Sequence, residues 1–158
     1  MQDLKAHQLT AQHFAEKLGM VYRPDISQGT TYYNHNREPI PFEEARKLSP
    51  LCWQHVSDSV FTQRRIVCAA LRFPELDLII PGARHYSADI HALMDRLQAL
   101  GALPPKKQQA VGDNQGFLDN FGGYWNREDA LLIARSAHQL DGKEKCGSER
   151  ELFSEDLY

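Results

Sequence analysis

Arg65-Ile66-Val67-Cys68-Ala69-Ala70-Leu71-Arg72 is an apolar run rich in β-branched residues, and Leu76 to Ile80 resumes it after the turn-forming Phe73-Pro74-Glu75. The pattern predicts a β-hairpin. Pro81-Gly82 breaks the second strand, and Ala83-Arg84-His85-Tyr86 leads to Ser87, whose hydroxyl is a natural helix cap with Asp89 in the first turn behind it. Ile90, Leu93, Met94, Leu97 and Leu100 make one helical stripe, and Gly101 stands where a helix stops. A second unit of the same kind follows. Gln115 to Asn120 reads as a strand, Phe121-Gly122-Gly123 as a turn, and Tyr124-Trp125 as the returning strand. Asn126, three residues before Asp129, resembles a capping box, and Ala130, Ile133, Ala134 and Ala137 give a stripe of small residues that ends near Gly142. The fold class expected is therefore α+β: a small antiparallel sheet of two hairpins, each followed by a helix, at about 64–100 and 114–140.

The sequence ahead of these units reads differently. Thr10 can cap a short helix over Ala11, Phe14, Ala15 and Leu18, and Val21 to Pro41 carries Pro24, Gly29, Pro39 and Pro41, which predicts an extended loop with room for a short strand. Phe42 to Leu48 predicts a helix ending before Ser49-Pro50. Leu51 to Val60 fits a strand and a helical stripe equally well. The expected organisation is an N-terminal helical and loop extension over 1–63 and a hairpin-helix-hairpin-helix core over 64–158 with an acidic tail.

Composition narrows the functional classes. The chain has 158 residues, a net charge of -3 and 42% hydrophobic residues, which suits one folded domain without a surface built throughout for nucleic acid polymer or anionic membrane. Charge is nevertheless uneven. Residues 61–110 carry a net +3 and residues 141–158 a net -3. Cys52, Cys68 and Cys146 are odd in number and widely spaced, so reduced thiols are expected. No apolar leader and no long apolar span is present, and a cytoplasmic, membrane-free protein is the expectation.

The seven histidines form no HExxH and no i, i+4 helical pair, and the phosphate-loop, dinucleotide and nucleophile-elbow motifs are absent. No metal, cofactor or catalytic residue is expected. Two clusters have the chemistry of a binding site. In Gly82-Ala83-Arg84-His85 a strand gives way to a helix N-terminus, where backbone N–H groups and a guanidinium can hold an anionic oxygen, against the plainer reading of a surface Arg and a capping His. In Gln115, Phe117, Tyr124, Trp125, Asn126 and Arg127, aromatic faces combine with amides and a guanidinium. Hairpin aromatics are more often packing than platform, and Asn126 already has a capping role.

The order strand, GxRH, helix, then QGF, a GG(Y/F) hairpin, an NRED-A helix start and a closing Leu152-Phe153-Ser154-Glu155-Asp156-Leu157-Tyr158 is similar to a family of small bacteriophage proteins that includes the anti-Thoeris nucleotide sponges. The resemblance spans about 64–158. It implies a non-catalytic binder that sequesters a cyclic ADP-ribose isomer or a cyclic oligonucleotide in the cytoplasm of the infected bacterial host. It also implies a homo-oligomer, dimer or hexamer, with pockets between protomers. Carried onto this chain, the implied ligand contacts are Arg84, Phe117, Asn126 and Arg127, with His85, Gln115 and Arg135 behind them. Residues 1–63 have no counterpart in short members. Two other readings compete: a small nucleotide hydrolase using His85 with Asp89 or Glu128, and a regulatory protein that binds a host protein through Tyr32, Tyr33 and Trp53.

Overall fold

A computed structural model describes residues 30–57, 59–103 and 110–158, so the expected helix over 10–18 lies outside the described residues. The chain divides between Arg64 and Arg65 into two compact units. Within each, the fold class is α+β.

In the first unit, strands β1 (Thr31–Tyr33), β2 (Pro39–Ile40), β3 (Trp53–Ser57) and β4 (Val60–Gln63) form a sheet in the order β2-β1-β4-β3. The β1–β4 pair is parallel and the other two are antiparallel. Two of these strands lie where the sequence reads as loop. Asn34 explains the first turn: its Oδ1 accepts from the amides of Asn36 and Glu38, so the polar run closes β1 onto β2 instead of remaining open. Pro39 sits at the start of its strand, where its missing N–H costs no ladder bond. The ambiguous stretch after Leu51 resolves as strand, because alternation sets Trp53 against a core of Tyr32, Ala45, Cys52 and Phe61. Helix α1 (Phe42–Ala45) is shorter than its pattern suggests.

The second unit carries the doubled hairpin. Strands β5 (Ile66–Phe73) and β6 (Leu78–Gly82) lead to helix α2 (Ala88–Ala99), and β7 (Gln115–Asp119) and β8 (Tyr124–Trp125) lead to helix α3 (Arg127–Ser136). The sheet order is β6-β5-β7-β8, antiparallel throughout, so the first strands of the two hairpins meet at the centre and the second strands form the edges. One row runs Gly82, Ala69, Phe117, Trp125 across all four strands. The two strand-to-helix joins therefore leave the sheet from the same row, one on either side of the central pair.

A single face of this sheet supports both helices. Ala69 and Phe117 pack with Ala130, Leu131, Ile133, Ala134 and Leu152 under α3, and Leu71, Phe73 and Ile80 pack with Ile90 and Met94 under α2. A bulge between Ile66 and Cys68 turns Ile66 onto the α3 patch and leaves Val67 exposed. The helix stripes are narrower than the sequence pattern, since Leu93 and Leu100 remain exposed. Gly101, at φ 74, ends α2 in the left-handed conformation expected of it, whereas α3 stops well before Gly142 because His138 has already turned to φ 57. Three free cysteines are present among the described residues.

Candidate functional site

At the first join the chain satisfies its own backbone. The amide of Ala83 donates to Asp89 Oδ2, the amide of Arg84 donates to Ser87 Oγ, and the single hydrogen of the Ser87 hydroxyl is shared between the Arg84 carbonyl at 2.7 Å and Asp89 Oδ1. Ser87 therefore makes no cap bond to α2, because its hydroxyl is spent within the turn. The two amides at 83 and 84 are not open to an anion. What the turn does present is side chains: Arg84 is exposed, and His85 folds back over the sheet.

His85 Nε2 lies 2.7 Å from the carbonyl oxygen of Gly116 on β7, and its ring meets Phe117 edge-on at 5.0 Å between centroids. A carbonyl only accepts, so Nε2 carries the hydrogen, which leaves Nδ1 with the lone pair in the neutral ring. Burial is the chief reason that the imidazole titrates below its ordinary range; the Arg127 charge adds to this, while the Gly116 bond and the Glu155 charge act in the opposite direction. Burial thus favours the neutral form of His85.

The second join supplies the cation. Asn126 caps α3, its Oδ1 accepting from the Asp129 amide at 2.8 Å, and this fixes Arg127 as the first helical residue. The Arg127 guanidinium turns back along β7 and donates to Gln115 Oε1 at 2.8 Å, while Gln115 Nε2 donates to the Ala110 carbonyl. The same carbonyl receives the Tyr86 hydroxyl at 2.9 Å. The two joins thus converge within one unit: His85 rests on Gly116 and Arg127 on Gln115, consecutive residues of one strand.

The site extends onto the other side of β7. Tyr124 lies across Gly116, donates from its hydroxyl to the Asp113 carbonyl at 2.8 Å, and carries the Arg72 guanidinium 4.5 Å from its ring centroid. Arg72 Nε donates in turn to Asn114 Oδ1 at 3.2 Å. Burial pushes the Tyr124 phenol up to about 12, overriding the two nearby guanidiniums of Arg72 and Arg127. Near α3, burial also raises the Asp129 carboxyl, with the charges of Glu128 and Asp113 adding to it. The N-terminus of α3 is already furnished with acids, so anion affinity here rests on guanidiniums.

Of the residues singled out from sequence, His85, Gln115 and Arg127 come together, and Asn126 serves them as the cap. Arg84 stands exposed in the turn just before His85. Phe117 is wholly buried, and it supports His85 from beneath instead of offering a face to a ligand. Arg135 lies two helical turns beyond Arg127, roughly 12 Å along the axis, and pairs with Glu149 at 3.4 Å on the surface. Arg72 and Tyr124 belong to the cluster as well, and the Glu155 charge acts on His85. Arg72 has a visible signal, a lone charge near the end of an apolar strand, and Glu155 stands in the closing Leu152–Tyr158 stretch that carries the resemblance. Among the described residues no group of acids, histidines and cysteines could hold a metal ion, and no helix is long and apolar enough to cross a membrane.

A family model described as phage T4 y16D protein matches residues 65–158, which is the whole of the second unit. No curated protein and no solved structure matches the chain.

Proposed function

The chain belongs to the phage T4 y16D protein family, and from that premise we propose that it is a phage-encoded, non-catalytic binder that sequesters a cyclic nucleotide signal of the bacterial host, a cyclic ADP-ribose isomer or a cyclic oligonucleotide. The observation that carries the reading is the meeting of the two joins on β7, where a neutral imidazole and a fixed guanidinium sit on adjacent residues. A nucleotide presents anionic oxygens for Arg127, Arg84 and Arg72, and amino or hydroxyl hydrogens for the His85 lone pair. His85, Gln115, Arg127, Tyr124 and Arg72 are each anchored to backbone or amide groups, which suits tight holding because little freedom is lost on binding.

Thermal shift against a panel of cyclic ADP-ribose isomers and cyclic oligonucleotides tests this directly. A ligand at one hundred times its Kd stabilises the native state by about 2.7 kcal/mol, or about 5–10 °C for a chain of this size. The ligand should be recovered unchanged after heat denaturation. No shift with any member of the panel refutes the proposal.

A hydrolase is the second reading, and His85 favours it, since a neutral imidazole within reach of the Glu155 charge has the character of a general base. Asp89, one of the two partners suggested by sequence, is engaged by Ser87 and Ala83. Degraded ligand under substrate excess, abolished in His85→Ala, would replace binding by catalysis.

A further inference from the structure

The chain from Lys145 to Asp156 returns to the start of α3. The Leu152 amide donates to the Arg127 carbonyl at 2.9 Å, and Arg127 Nη1 approaches the Leu152 carbonyl at 3.4 Å, so backbone and side chain of Arg127 face the same residue. The next ring, Phe153, lies 4.6 Å from the Arg127 guanidinium carbon and 4.9 Å from Lys145 Nζ. The approach is close enough to require a glycine. A Cβ on Gly147, which sits at φ 63, would stand 2.7 Å from Phe153 Cε2.

Asp156 locks this arrangement. Its side chain is buried, yet it accepts from the Cys146 amide at 2.6 Å and the Phe153 amide at 2.8 Å, and it pairs with Lys145 at 2.8 Å. Lys145 also donates to the Cys146 carbonyl. Leu152 completes the anchor in the core under α3. One buried carboxylate thereby ties both ends of the returning segment, and the aromatic ring it holds lies against the site's central cation.

We propose that the segment Leu152–Asp156 is part of the binding site and that Phe153 and Asp156 are positioning residues, which clamp Arg127 so that its unused N–H groups face an anionic oxygen of a phosphate-bearing ligand. Of the five N–H donors of a guanidinium, Gln115 and Leu152 take two, and about three remain. A long, flexible side chain loses much of its value as an anion clamp when it must be ordered at the moment of binding. Phe153 and Gln115 order it beforehand. This inference rests on the binding reading given above, but its test is separable from it.

Three proteins decide the matter: wild type, Phe153→Leu, which keeps apolar volume without the ring face, and Phe153→Tyr, which keeps the ring. Inorganic pyrophosphate and cyclic ADP-ribose are the probes, and the Arg127 side-chain resonance reports on the clamp in the absence of ligand. In wild type that resonance should carry an aromatic ring-current displacement, retained in Phe153→Tyr and lost in Phe153→Leu. Pyrophosphate affinity should fall about 10-fold to 100-fold in Phe153→Leu, the range of one charge-assisted hydrogen bond. It should stay within about threefold in Phe153→Tyr. An unchanged Arg127 resonance, or equal pyrophosphate affinity in all three proteins, overturns the clamp, as does wild type that takes no pyrophosphate. Pyrophosphate binding without cyclic ADP-ribose binding supports the clamp and counts against the proposed ligand alone. Should Phe153→Leu unfold, Asp156→Asn takes its place with the same two readouts and the same deciding outcomes.

Discussion

Replacing Gly116 by alanine should damage the second unit more than any other single methyl group added to its hairpins. The strand residue faces Ala70 on β5, and a Cβ there would stand 2.6 Å from Tyr124 Cζ and Oη and closer still to the Trp125 carbonyl oxygen. Ordinary carbon contacts lie at about 3.5–4.0 Å, so β8 and the Tyr124 ring must retreat by about 1 Å. Retreat is costly, since β8 pairs with β7 through only two positions, Phe117 with Trp125 and Leu118 with Tyr124, and leads straight into the Asn126 cap. Overpacking alone costs about 1–3 kcal/mol, and a weakened ladder bond adds about 1 kcal/mol. The expected loss is about 2–4 kcal/mol, or about 10–25 °C in Tm for a unit of this size. Urea and thermal unfolding, followed by near-ultraviolet circular dichroism of Trp125, give the number. Gly122→Ala is the control: nothing surrounds its Cβ, and only its φ of +79 penalises the change, by about 1 kcal/mol. If Gly116→Ala unfolds within about 0.5 kcal/mol of wild type, or loses less than Gly122→Ala, the close crossing of Tyr124 over β7 is wrong.

Tyr32→Phe should raise stability by up to about 1 kcal/mol, because the buried Tyr32 hydroxyl has no partner among the described residues; a urea midpoint below that of wild type would refute this. Asn126→Ala should cost about 1 kcal/mol and loosen Arg127, as seen in faster amide exchange over the first turn of α3, and unchanged exchange there would argue against the cap. Acid should act through two groups. Burial opposes charge on Asp156, but Lys145 and the amides of Phe153 and Cys146 outweigh it and hold the carboxyl below its ordinary value of 3.8, so its contribution is present above that pH and is lost as pH falls through the folded value. His85, lowered from 6.5, contributes fully above 6.5 and progressively less below it, because the unfolded chain takes up the proton first. Stability of Asp156→Asn should therefore vary less between pH 3.8 and lower values than that of wild type, and parallel curves would exclude the role assigned to the carboxylate.

Much of the second unit could be read before its structure was known, because its signals are local. β-Branched runs, a Gly-Gly turn and an Asn cap each act over a few residues, and all three reappear in the fold. The first sheet was hidden for the opposite reason. Its strands are two to five residues long, and the β1–β4 pairing joins stretches whose only common feature is a buried aromatic, Tyr32 and Phe61. The site divides along the same line. His85 and Arg127 stand out as polar residues at strand-helix joins and Gln115 as the polar start of a strand, whereas the Phe153 contact with Arg127 depends on a chain return that no periodicity announces. Phe117, in the QGF motif, and Arg135 are contacts that the resemblance implies, and neither burial nor distance along a helix is visible in such a likeness. Burial removed the first from any ligand's reach, and helix length separated the second from the cluster.

The central β5–β7 pair also has a kinetic meaning. Each hairpin is local and can form in about 1–10 μs, and Arg127 can meet Gln115 within the second of them, but His85 reaches Gly116 only after β5 and β7, distant in sequence, have zipped together. Closing such a loop is the slow, entropically costly part of folding. Both halves of the site are then held together only in the completed sheet. A ligand bridging the two joins would staple the central pair, and its effect would be to lengthen the lifetime of the folded state against unfolding and proteolysis while leaving the folding rate nearly untouched.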